Sequence, residues 1–217
     1  MEFYGEPMDV PVPGYIGPIL PWLDLFGIAV FAATGALAAA MRGQTFVTAA
    51  FFALVTGVGG GTIRDLLIDA PVFWVHDRSV AAICLGAALV IWLTPERWWH
   101  GKGFDWLDAM GLAAYAVFGA AKSLGYGIPP VPAMVMGVVT ACAGGIIRDM
   151  MAGEPSILMR PELYVTAAAL ASSIYVVLSF TPLLPFAAGL IAAAAGFALR
   201  GAAIQWKLAL PSYRGKR

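Results

Sequence analysis

Thr56-Gly57-Val58-Gly59-Gly60-Gly61-Thr62-Ile63-Arg64-Asp65 and Thr140-Ala141-Cys142-Ala143-Gly144-Gly145-Ile146-Ile147-Arg148-Asp149 are two copies of one motif, set 84 residues apart. The same offset, without a gap, aligns Asp24 with Asp108, Gly27 with Gly111 and Gly35 with Gly119. It also aligns Gly43 with Gly127 and Pro71 with Pro155. A collinear set of this kind marks an internal duplication. Each copy holds three apolar runs, and an odd number of crossings turns the second copy upside down in a membrane. Such inverted pairs place solute pathways at the repeat interface. A duplicated scaffold without transport is the plainer alternative.

The solvent is lipid. Residues of the hydrophobic set make up 60% of the 217-residue chain and charged residues 12%, against about 25% charged in ordinary soluble domains. Apolar runs fall at about 21–41, 46–74, 79–94, 106–123, 132–153, 162–180 and 184–206, separated by turn and breaker clusters. The expected architecture is an all-α polytopic membrane protein of seven transmembrane helices, an inverted 3+3 repeat plus a seventh helix. The third run is the shortest. Boundaries follow at 1–18 (irregular extracytoplasmic tail), 19–104 (first repeat), 105–181 (second repeat), 182–206 (seventh helix) and 207–217 (basic cytoplasmic tail). Trp22, Trp74, Trp92, Trp98, Trp99, Trp106 and Trp206 stand near run ends, as an interfacial belt would. With the N-terminus outside, Arg42, Arg97, Lys102, Arg160 and the tail cations Lys207, Arg214, Lys216 and Arg217 lie inside, which satisfies the positive-inside rule.

The second and fifth runs carry the chemistry. Gly59-Gly60-Gly61 follows about 13 residues of apolar sequence, which at about 1.5 Å per residue is about 20 Å into the bilayer. Glycines there permit unwound backbone lining a cavity, or close helix packing. Gly144-Gly145 repeats the design from the other side. Arg64-Asp65 and Arg148-Asp149 follow, and insertion scales charge about 2.5–3.5 kcal/mol for each such residue at a helix centre. They must be paired or hydrated. Adjacent helical residues point about 100° apart, so crossed pairs, Arg64 with Asp149 and Asp65 with Arg148, are expected. These pairs either border a pathway or lock the repeats. Opened carbonyls at the glycines would suit an alkali cation. Lys122, at the outer end of the fourth run, either snorkels or forms an electrostatic gate. Thr34 and Phe118 occupy repeat-equivalent places and offer a constriction or plain core packing. Glu154 and Glu162 read as solvated.

Other classes find no support. Balanced charge, 13 basic against 13 acidic residues, excludes a basic nucleic-acid binder. Cys84 and Cys142 lie in apolar runs, and His76 and His100 complete no zinc set. No catalytic constellation, cofactor motif or ATP-binding GxxxxGK[ST] loop is present, so an enzyme is not expected.

At the paired GGGTIRD and AGGIIRD segments, with Pro71 and Pro155 each six residues after the aspartate, the chain resembles bacterial members of the trimeric intracellular cation (TRIC) channel family. Bacterial relatives are also known as a duplicated glycine transporter domain. The resemblance covers about residues 20–205. It implies a homotrimer in the bacterial inner membrane, with one passive K⁺/Na⁺ pathway per protomer beside the second and fifth helices. It places Gly59, Gly60, Gly61, Arg64, Asp65, Gly144, Gly145, Arg148 and Asp149 along that pathway. The lysine-rich lipid motif of animal members has no counterpart between 125 and 150. A secondary transporter of a small solute such as glycine is the alternative function, and a structural membrane protein a distant third.

Overall fold

The computed structural model describes residues 20–95, 98–99, 102–159 and 163–211. The 1–18 tail lies outside them, as do His100, Glu162 and the expected inside charges Arg97, Arg160, Arg214, Lys216 and Arg217. Among the described residues seven α-helices follow one another: α1 (Leu20–Ala40), α2 (Phe46–Leu67), α3 (Arg78–Leu93), α4 (Gly103–Gly125), α5 (Pro130–Ala152), α6 (Val165–Leu178) and α7 (Pro185–Trp206). The apolar runs predict all seven. Three of the helices, α2, α5 and α7, are long and apolar enough to cross a membrane by themselves.

Local chemistry fixes the ends. Thr45 caps α2 by accepting the Thr48 amide. Asp77 caps α3, its Oδ1 taking the Ser79 amide at 2.8 Å and the Ser79 hydroxyl at 2.6 Å. Those two donors hold the Asp77 carboxyl below its ordinary value. The cap is therefore present at neutral pH and is released only as pH falls through that lowered value. Pro130 and Pro185 open α5 and α7, where a missing N–H costs nothing. The shortest helix is α6, 14 residues, and not α3 on the third run, which has 16. At about 1.5 Å per residue α6 is about 21 Å long, so local thinning of the bilayer or snorkelling of its flanking residues must absorb the mismatch.

The inverted duplication is legible in atomic contacts. A Cβ on Gly60 would strike the Thr140 carbonyl, and one on Gly144 would lie 2.6 Å from the Thr56 carbonyl. As the position rises on α2 its partner falls on α5, so the two equivalent helices cross antiparallel. Gly27 faces Tyr115 and Gly111 faces Phe31 in the same reciprocal way between α1 and α4. Even the turns repeat. Gly43 and Gly127 both have positive φ, as do Asp69 and Gly153, the equivalent positions after α2 and α5. Asp is one of the few side chains that tolerates that conformation. Helices α1–α3 and α4–α6 thus form two inverted units, and α7 packs against α4 and α6 of the second.

One expectation is overturned. Both α2 and α5 run unbroken through their glycines. Gly60 and Gly144 are needed for the crossing, where each leaves room for the opposing backbone, whereas Gly59 faces the Ile147 side chain, Gly61 the Phe73 ring and Gly145 the Tyr164 hydroxyl. No carbonyls are opened there.

Candidate functional site

At the C-terminal end of α2 the chain turns back, and the Phe73 amide donates to Asp65 Oδ2 at 3.1 Å. This leaves Oδ1 facing Arg64, whose Nε donates to it at 2.8 Å. The second repeat copies the device: the Ile157 amide donates to Asp149 Oδ2 at 2.8 Å, and Arg148 Nε to Oδ1 at 3.0 Å. The pairs therefore form within each motif, not across the repeats. Crossed pairs fail because the long arginine arm bends over the 100° between neighbours, while the turn-back amide holds the carboxylate toward it.

The repeats are joined differently. Arg148 Nη1 reaches Asp108 Oδ1 at 2.5 Å and Thr34 Oγ1 at 3.1 Å. Thr34 in turn donates to the Phe31 carbonyl. Phe118, the equivalent of Thr34, presents its ring to the Arg64 guanidinium at 4.9 Å. Thus each arginine touches the first helix of the opposite repeat, once by hydrogen bond and once by cation–π contact. Arg64, Asp65, Arg148, Thr34 and Phe118 are all buried.

Lys122 breaks the symmetry. Its Nζ bonds both oxygens of Asp65, at 2.8 and 2.9 Å, tying α4 to α2. Its side chain keeps 16% exposure, and its ring neighbours are Phe73 and Tyr126. The equivalent position beside Asp149 is Ala38, which brings no charge. Arg64 lies only three residues from the end of α2, about 5 Å. The charges accordingly stand near opposite ends of the bundle, not at helix centres as the insertion argument assumes.

Sequence reasoning missed three charged participants. Asp24 is within electrostatic reach of Arg64, Lys122 and Asp65. Its repeat-mate Asp108 holds Arg148. The 84-residue alignment marked both as equivalent but gave no sign of their partner. Arg200, fully buried on α7, lies 5.2 Å from the Tyr164 ring. A charge inside an Ala/Gly helix was its signal. Glu154 is not merely solvated but paired with Arg42.

Between the two clusters the core is aromatic. Phe31 and Tyr115 pack with tilted rings, centroids 5.2 Å apart, and Tyr115 donates to the Gly57 carbonyl at 3.2 Å. Tyr115→Phe should cost about 1 kcal/mol through that lost bond, measured as a lowered melting midpoint of the purified protein.

Comparison with known proteins agrees with this geometry. The glycine transporter family model matches residues 21–96 and 105–180, one match on each repeat. The UPF0126 inner membrane protein YadS of Escherichia coli K12 is 36% identical over 196 residues, covering 88% of this chain and 95% of that protein. The TRIC trimeric intracellular cation channel orthologue from Rhodobacter sphaeroides superposes with TM-score 0.82 at 38% identity, covering 88% of this chain and all of that one. A prokaryotic TRIC channel crystallised in 0.5 M KCl gives TM-score 0.79 at 26% identity, covering 88% and 98% of the two chains. With the family model on both repeats, and relatives 36% and 38% identical each matched over 88% of this chain, the chain belongs to the TRIC channel family, the duplicated glycine transporter domain family.

Proposed function

We propose that this protein is a passive monovalent-cation channel, permeant to K⁺ and Na⁺. It works as a homotrimer in the bacterial inner membrane, with a pathway in each protomer beside α2 and α5. The N-terminus outside and the C-terminus in the cytoplasm put Arg42, Lys102 and Lys207 on the inner side, in keeping with the positive-inside rule. The observation that carries the reading is Lys122. It is a partly exposed cation, set between the repeats at the outer end and held by both oxygens of Asp65. A charge so placed closes an entrance while it is bound and clears it when it leaves.

The remaining charges suit cation passage. Arg148 faces two carboxylates, Asp108 and Asp149, so the inner cluster does not repel a cation. Gly60 and Gly144 form the crossing beside which the pathway runs, with Gly59, Gly61 and Gly145 on the same two helices, and Thr34 at the Arg148 cluster and Phe118 at the Arg64 cluster narrow it towards its two ends.

Lys122→Gln tests the gate. Asp65 keeps Arg64 and the Phe73 amide, so the variant should fold. Its open probability in planar bilayers should rise several-fold; unchanged gating would remove Lys122 from the role. The second reading, a carrier for a small solute such as glycine, is favoured by the family model's description. Saturable counterflow of glycine in proteoliposomes would support it.

A further inference from the structure

The repeats are bridged across their interface at both ends of the bundle, and the two bridges are related. At one end Lys122, in the last turn of α4, holds Asp65 near the end of α2. At the other end Arg42, just past α1, pairs with Glu154, just past α5. Since α1 is equivalent to α4 and α5 to α2, each bridge ties the first helix of one repeat to the second helix of the other. They are not at equivalent positions. The equivalents of Lys122 and Asp65 are Ala38 and Asp149, so Arg42 and Glu154 lie four and five residues further along. That is about one helical turn outward. The shift changes the environment: Lys122 and Asp65 are 16% and 0% exposed, Arg42 and Glu154 44% and 49%.

We propose that Arg42 and Glu154 form a second gate, a latch that closes the end of the pathway opposite Lys122. This rests on the pathway reading above. An exposed ion pair is weak and screened by salt, whereas a buried one is screened far less. The latch end is therefore the readily opened end, and ionic strength loosens it while leaving the Lys122 end closed.

The test uses the full chain in nanodiscs, with Ala38→Cys placing a half-buried thiol about one turn inside the latch. Cys84 and Cys142 are buried and supply a slow background. The rate of modification by a membrane-impermeant maleimide is compared in this parent, in Arg42→Glu, in Glu154→Arg and in the double exchange. Each single variant should react about fivefold faster or more, and the double exchange should return to the parent rate. Raising KCl should speed the parent about twofold and the single variants not at all. Equal rates in all four proteins, or no salt effect in the parent, would overturn the latch. If a single variant fails to fold, the salt dependence of the parent decides alone. The assay carries no current, so absence of K⁺ conduction refutes the channel reading while the labelling rates still decide this one.

Discussion

Arg148→Gln should prevent the protein from accumulating in the membrane. The substitution leaves Asp108 and Asp149 buried with the guanidinium gone, and among the described residues no second cation bonds either of them. Removing one partner of a buried ion pair costs about 3–5 kcal/mol, a large part of a protein's whole net stability of about 5–15 kcal/mol. Arg64→Gln should cost distinctly less, because Lys122 still holds Asp65. Expression level and melting midpoint of the two variants side by side check the ordering. Equal losses would mean that the Arg148 and Arg64 clusters are not built as unequally as the bonds indicate.

Gly60→Ala is the second large effect. The new methyl would meet the Thr140 carbonyl of α5, a backbone group that cannot rotate aside, and Gly144 stands in the reciprocal relation to Thr56. The helices must separate at the crossing on which both repeats rely. Overpacking in a core costs about 1–3 kcal/mol and more where nothing can yield, so about 3 kcal/mol is expected for either Gly60→Ala or Gly144→Ala. Gly86→Ala is the control. Nothing lies within 4 Å of its Cβ, and it should raise stability by up to about 1 kcal/mol through helix propensity. Thermal unfolding of the purified proteins separates the two outcomes.

The 84-residue repeat and the apolar runs made the helices and the inversion legible before any coordinates. Packing decided the rest. A run of three glycines fits a helix break and a close crossing equally well as sequence, because both need the side chain absent. Only the opposing carbonyl of Thr140 tells them apart. The motif pairs escaped for a similar reason. Backbone angle sets Arg64 and Asp65 about 100° apart, but the Phe73 amide eight residues later turns the carboxylate back. That bond follows from the turn after α2, which local pattern does not encode. Lys122 was legible as a charge at a helix end; its hold on Asp65 depends on how α4 lies against α2.

Single-channel recording of the purified protein in a KCl gradient tests the central claim most directly. The account predicts discrete, voltage-driven, non-saturating currents that reverse toward the K⁺ equilibrium potential, with flickering lessened by Lys122→Gln. A silent bilayer together with saturable glycine counterflow from the same preparation would contradict it.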